Sequence, residues 1–457
     1  MPHPYIPNSA PEVRAEMLRV IGAASVEDLY RPIPSELRFK GRLAIEEAMP
    51  EEARLRRHIE GILHQNTPAT RVLSFLGAGC YQHEVPAVCD EINRRGEFVT
   101  SYAGDTYGDH GRLQALWEFQ DLMAELLELD VVTTPNYDWS TAAAMALRSC
   151  VMLTEKRRIL VPAALLLDRR LVFSDYLGHD VQIDEIPFDD ATGLLDLAAL
   201  EALLGDDVAG VYVEYPNAFG VIDYQAPDVV ALAHQHGALA VVGADPTGLG
   251  LLAAPGSFGA DFAVGDVQPL GMHMSYGGGL SGYLAFHNDP EVLETCPAFI
   301  FAKTETLEPG QHGFGYLNFD RTHYVKRGEG SQNGGTTTAL WAITAAAYLG
   351  LLGPEGLREL GEGLMQRSRY AAERIAGIPG VAGVRFSGPI LKEFVITYAD
   401  HDVAAVDDAL RKRGVFGGKD LSVDFPTLGR ASLWAVTEVH SKADIDELVE
   451  ALTEVLA

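Results

Sequence analysis

The chain has 457 residues, 47% of them hydrophobic and 22% charged, and a formal net charge of −29. That is ample apolar material for a core, and at roughly 100–200 residues per domain it suggests two or three domains. A surface this acidic repels polyanions, which argues against nucleic acid and anionic membrane as partners and fits solubility or salt adaptation.

The four cysteines, Cys80, Cys89, Cys150 and Cys296, form no Cys-x-x-Cys pair, so neither a zinc knuckle nor a secreted disulfide scaffold is expected. The opening Met1-Pro2-His3-Pro4-Tyr5 has neither the charged nor the apolar region of a signal peptide. No run of about 18 apolar residues is present. A soluble protein in a reducing cytoplasm is the expectation.

In chain order, residues 8–66 read as helical, with Asn8 or Ser9 as cap to a helix starting at Pro11 and a second capped start at Ser25. Residues 1–66 are taken as an N-terminal arm that wraps another surface. The next unit, 67–335, alternates short apolar runs with helical stretches. Strands are expected at Val131–Thr134, Arg158–Val161, Ala209–Glu214, Leu239–Gly243, Phe262–Gly265 and Tyr283–Phe286, with helices such as Gly111–Leu127 and Ala226–His236 between them. That alternation predicts an α/β fold, a mainly parallel sheet with helices on both faces. Residues 287–335 read as irregular and glycine-rich. From 336 to 457 a long apolar helix, broken at Gly353-Pro354, leads into a small C-terminal α+β domain. Its strands are expected at Val384–Phe386, Glu393–Tyr398 and Ala431–Val436, and its helices at Val403–Arg413 and Lys442–Leu456.

Two places suggest chemistry. Asp245 directly follows the apolar strand Leu239–Gly243, at the carboxyl end where open α/β sheets bind ligands. In pyridoxal-phosphate enzymes such an aspartate pairs with the pyridinium nitrogen and keeps the ring an electron sink; a turn or helix cap is the plainer use of the same residue. The next strand leads to Gln268, where those enzymes place the Schiff-base lysine, and then to Gly277-Gly278-Gly279. The eight lysines stand at 40, 156, 303, 326, 392, 412, 419 and 442, and none lies between 156 and 303. A glutamine at 268 forms no internal aldimine.

The order of several segments resembles one family from end to end. They are Tyr5-Ile6-Pro7-Asn8, Phe75-Leu76-Gly77-Ala78-Gly79-Cys80-Tyr81-Gln82-His83, Trp117-Glu118-Phe119-Gln120, Tyr215-Pro216-Asn217-Ala218-Phe219-Gly220, Ala244-Asp245-Pro246-Thr247-Gly248 and Val436-Thr437-Glu438. Together they resemble glycine dehydrogenase (decarboxylating), a fold-type I pyridoxal-phosphate family with a seven-stranded-type sheet. That family occurs as one long chain or as two subunits, and the lysine-free Gln268 matches the first subunit. The resemblance implies a second, lysine-bearing subunit that binds PLP covalently, a small amino acid as substrate, and an aminomethyl group passed to the lipoyl arm of a carrier, the H-protein. It places Asp245, Gln268, Asn217 and His273 around the cofactor, with Tyr276 lining the same cleft.

Three loops depart from the family pattern. The family's Tyr-Thr-Pro-Tyr-Gln-Pro-Glu-Ile-Ser-Gln-Gly segment is replaced by the shorter, more acidic Tyr102–Gly111. Leu166-Leu167 replaces a His-Pro, and Arg327–Thr337 replaces an Arg-Glu-Lys-Ala-Thr-Ser-Asn-Ile-Cys-Thr-Asn segment. In the first loop His110, beside Asp105 and Asp109, is the candidate acid–base group, with Tyr107 and Asp109 as its catalytic neighbours. A divergent paralogue acting on another small amino acid or a glycine-derived intermediate, or a non-catalytic scaffold subunit, remains the alternative. The pairs His234/His236 and Asp402/Asp407 lack a third ligand, so no metal is expected.

Overall fold

The computed structural model describes residues 5–6, 8–46, 48–99, 112–317 and 337–457, and the chain divides into two units, Met1–Thr67 and Pro68–Ala457. In the first unit the helix does start at Pro11 (Pro11–Val20), but the residue at its N-cap is Ala10, not Asn8 or Ser9. Ser25 and Asp28 form a reciprocal capping box, yet it opens only a short 3-10 helix, Val26–Tyr30. Pro32 and Pro34 follow at once and cannot continue a helix. The reading of 8–66 as helical is therefore corrected: the described residues of 31–51 carry no α-helix, and helix resumes at Glu52–Leu63. No described residue of this unit is buried.

In the second unit strand β1 (Leu73–Ser74) is followed by seven strands of one sheet: β2 (Val131–Val132), β3 (Arg158–Pro162), β4 (Gln182–Ile186), β5 (Val208–Tyr215), β6 (Leu239–Ala244), β7 (Phe262–Asp266) and β8 (Gly282–Phe286). Their order is β2-β8-β7-β6-β5-β3-β4. The run from β4 to β7 is parallel, and β8 pairs antiparallel with both β7 and β2. Every residue of β5 is buried, as a continuous apolar strand covered on both faces must be. One face is covered by the alanine-rich helix Trp139–Thr154, capped by Asp138. The other is covered by helices Leu113–Leu127, Ala226–Gln235 and part of a long helix, Ala339–Ala376.

Several elements were not read from the sequence, among them an edge strand and a hairpin. Strand β4 reads Gln-Ile-Asp-Glu-Ile and sits at the sheet edge, where one exposed side removes the apolar run. The hairpin β9 (Phe301–Glu305) and β10 (His312–Tyr316) lies in the stretch read as irregular, because apart from Phe301 its strands are only partly buried or exposed.

The long helix bends where expected: Gly353 takes φ 60° and ψ −177° before Pro354. It leads to β11 (Val381–Val384), β12 (Glu393–Tyr398), β13 (Val415–Phe416), β14 (Lys419–Asp420) and β15 (Ala431–Ala435). Four of these form an antiparallel sheet in the order β11-β12-β15-β14, and β13 pairs in parallel with β1. Helices Val403–Arg411 and Lys442–Leu456 pack against this sheet around Trp434 and Phe394. The carboxyl ends of β6 and β7, carrying Asp245 and leading to Gln268, thus face the amino end of β12, where Lys392 and Glu393 stand.

Candidate functional site

Asp245 is 4% exposed, and both its oxygens are engaged. Oδ1 accepts from the Thr247 N–H (3.0 Å) and Thr247 Oγ1 (2.6 Å), which makes it the cap of the turn Pro246–Gly248. Oδ2 lies 2.6 Å from Lys392 Nζ, itself on a residue 1% exposed. Burial alone would push the Asp245 carboxyl up; the Lys392 ammonium, with the hydrogen bonds from Lys392 and Thr247, outweighs it and holds the carboxyl below its ordinary value.

The ammonium has two further partners. Its Nζ sits 3.8 Å from the centroid of the Tyr81 ring, a desolvated cation–π contact, and 3.3 Å from His83 Nε2. An ammonium only donates, so Nε2 accepts and the ring proton sits on Nδ1, which faces Glu438 at 2.8 Å. Burial would raise the Glu438 carboxyl; pairing with His83 and the hydrogen bond from the Glu84 N–H hold it down to about 2. Asp245, Lys392, His83 and Glu438 thus form one buried chain of alternating partners.

Gln268 is fully enclosed and spends its amide on the same segment. Its Oε1 accepts from the Tyr81 N–H (3.1 Å), and its Nε2 donates to the carbonyls of Tyr81 (2.8 Å) and Met272 (3.0 Å). The Tyr81 hydroxyl donates to Glu393 Oε2 at 2.9 Å, and the Ala78 N–H to Glu393 Oε1 at 2.6 Å. A side chain at Gly77 would lie 2.3 Å from that carboxylate, so the segment enters the site as close as backbone allows. Residues 77–84 therefore run as a plug between the large sheet, which supplies Asp245 and Gln268, and the small domain, which supplies Lys392, Glu393 and Glu438.

Of the other residues expected at the site, Asn217 is buried and holds its own turn after the cis Tyr215–Pro216 bond. Its Oδ1 accepts from Phe219 and Val221 N–H, and its Nδ2 donates to the Gly193 carbonyl at 2.7 Å. His273 is on the surface, 3.1 Å from Asp90, and Tyr276 is 92% exposed, not inside a cleft. His110, Tyr107 and Asp109 lie outside the described residues, as do Asp105 and most of 327–337. Leu166 is buried and Leu167 opens a helix, Leu167–Leu177. No three His, Cys, Asp or Glu groups that could hold a metal come together among the described residues. No helix among them is long and apolar enough to cross a membrane.

The residues on the sheet edge do not fit a bound pyridoxal phosphate. Asp245, expected to face a ring nitrogen, is instead paired with Lys392, and the amide of Gln268, expected at the lysine position, is locked to backbone. The helix N-terminus at Trp139 carries its own carboxylate, Asp138 Oδ1 accepting from the Thr141 N–H (2.7 Å). Lys392, Tyr81, His83, Glu393 and Glu438 were missed as site residues by sequence reasoning. The available signal was a Lys-Glu pair opening an otherwise apolar strand in a chain of only eight lysines.

Comparison with known proteins gives one family. The family model for the glycine cleavage system P-protein matches residues 3–452. Proteins named probable glycine dehydrogenase (decarboxylating) subunit 1 match along nearly their whole length. The one from Staphylothermus marinus is 38% identical, covering 99% of this chain and 98% of the relative. Those of Geobacillus kaustophilus and Pyrococcus horikoshii are 37% and 36% identical, each covering 99% of both chains. A crystal structure of an inhibitor-bound glycine decarboxylase (P-protein) superposes with a TM-score of 0.87 at 33% identity, covering 99% of this chain and all of that one. A sphingosine-1-phosphate lyase of Burkholderia pseudomallei (TM-score 0.64, 17% identity) and a NifS-like protein (0.64, 14%) share the fold, that of fold-type I pyridoxal-phosphate enzymes.

Proposed function

The chain belongs to the glycine cleavage system P-protein family, and from that premise we propose that it is the cofactor-free subunit of a cytoplasmic glycine dehydrogenase (decarboxylating), completing the active site of a lysine-bearing partner. The observation that carries the reading is the binding of Gln268, read as standing at the lysine position: its whole amide is spent on residues 81 and 272. Its relatives are named as subunit 1, which implies a second subunit. In this reading the partner binds pyridoxal phosphate covalently and the cofactor supplies the electron sink for decarboxylation of glycine. A lipoyl carrier accepts the aminomethyl group.

What this chain contributes is a rigid surface beside the partner's site and a remodelled loop, 102–111, whose His110 moves a proton at the substrate with Tyr107 and Asp109 as neighbours. Asp245, Gln268 and Asn217 serve as the internal frame of that surface, and His273 lies at its edge.

The first unit supports a permanent partnership. Of the 28 large hydrophobics exposed among the described residues, 17 precede Pro68, including the stripe Leu55, Ile59 and Ile62 of one helix. Apolar surface on that scale is a liability unless a partner covers it. Two copies of each subunit, a dimer of heterodimers, is the expected assembly.

The test is reconstitution. The chain and a lysine-bearing homologue, each inactive alone, are mixed with pyridoxal phosphate, glycine and a lipoyl carrier, and carbon dioxide release is followed. Activity only in the mixture supports the reading. Full activity of the partner alone overturns it.

A further inference from the structure

Between Gln268 and β8 the chain makes a tight turn, and it is strained. Ser275 (φ 45°) and Tyr276 (φ 59°) are two consecutive non-glycine residues in the left-handed region, which L-residues enter singly and at a cost. The turn is fixed nonetheless. The N–H groups of Gly277 and Gly279 bond the Met274 carbonyl at 2.8 and 3.2 Å, and Gly278 N–H bonds the Ser275 carbonyl. Gly279 must be glycine, since a Cβ there would lie 2.2 Å from the His273 carbonyl.

The base of the turn is held on both sides. Gln268 Nε2 donates to the Met272 carbonyl, and the Ser281 N–H bonds Asp266. At the tip stands the Tyr276 ring, 92% exposed and the most exposed aromatic of the second unit's described residues. The fold thus spends strain to hold a bulky aromatic in solvent. Among the described residues the ring shows no partner that would compensate.

Resting on the proposed function, we propose that Tyr276 is a preformed anchor for the lysine-bearing subunit, presented by a turn that Gln268 positions. Rigid tyrosines with an apolar face and a polar tip are typical of residues that dominate binding at interfaces. The occupant follows from three observations. The relatives are named as one subunit of a pair. The turn lies at the carboxyl edge of the sheet, directly beyond the residue that stands at the partner's lysine position. A second copy of this chain carries the same charge of −29, which disfavours it as the occupant of this tip. In this role Gln268 is a positioning residue, doing for the interface what a lysine would do for a cofactor.

The experiment uses the full chain and the purified lysine-bearing subunit. Dissociation constants are measured for wild type, Tyr276→Ala, Tyr276→Gly and, as control, Tyr224→Ala, a tyrosine 61% exposed on ordinary backbone. The Tyr276 variants should bind at least tenfold more weakly, and the control should bind as wild type. Tyr276→Gly relieves the left-handed strain, so the free chain should melt no lower than wild type while its complex weakens. Backbone amides 273–279 should gain hydrogen-exchange protection on assembly. Wild-type affinity in both Tyr276 variants, with 273–279 unprotected, overturns the anchor while leaving an active wild-type complex, and so the proposed function, standing. Failure of the wild-type chains to assemble at all overturns both.

Discussion

Lys392 places its ammonium nitrogen 2.6 Å from Oδ2 of Asp245, with both side chains almost wholly enclosed. A lysine from the small domain thus pairs with a carboxylate at the end of β6 and ties the large sheet to the small domain.

Breaking that pair should be costly. Lys392→Met leaves Asp245 buried and unpaired, so urea unfolding should show a loss of about 3–5 kcal/mol. Lys392→Met combined with Asp245→Asn removes both charges and should recover most of it. Additive losses in the double variant would show that the two residues act independently.

Glu438 sets an acid limb. Its folded-state carboxyl lies at about 2, below the ordinary 4.5, so the unfolded chain takes up the proton first. Its contribution is full above about 4.5 and is lost as pH falls toward 2. Glu438→Gln should flatten the stability curve across that window and leave its shape near neutrality unchanged. An acid limb of undiminished slope in the variant would assign it to other carboxylates.

Asp266 acts with the opposite sign. Burial, aided by the Asp138 charge, pushes its carboxyl up to about 7 against hydrogen bonds from the Gln268, Ser281 and Trp139 backbone. The folded chain therefore holds the proton more tightly than the unfolded one. Stability should decline as pH rises from about 3.8 to 7 and then level off. Asp266→Asn should lack that decline. A decline of the same size in the variant would place its origin elsewhere.

His110 is the candidate proton carrier of the assembled enzyme. His110→Ala should lower turnover of the complex by about 10²–10⁴-fold while assembly is unchanged. Equal rates from mildly acidic to mildly alkaline pH would return it to the role of a surface turn residue.

Much of the fold was legible because strands with almost every residue buried, such as β5 and β6, read as continuous apolar runs. Gln268 was conspicuous as the wrong residue at a chemical position. Its partners were not. His83, Lys392 and Glu438 are separated by more than 300 residues along the chain from the first to the others and meet only through tertiary packing. No local period marks such a cluster, and a polar edge strand like β4 hides for a related reason: half its surface faces water.

The most direct test is borohydride reduction of the assembled complex in the presence of pyridoxal phosphate, followed by peptide mapping. A cofactor-free role for this chain predicts the pyridoxyl group on the partner's lysine alone, and none on Lys392 or the other seven lysines here. It also predicts that Gln268→Lys, which gives up three hydrogen bonds for a buried charge, is destabilised by about 3 kcal/mol or more and still takes up no cofactor. A stoichiometric pyridoxyl adduct on any lysine of the wild-type chain would contradict it.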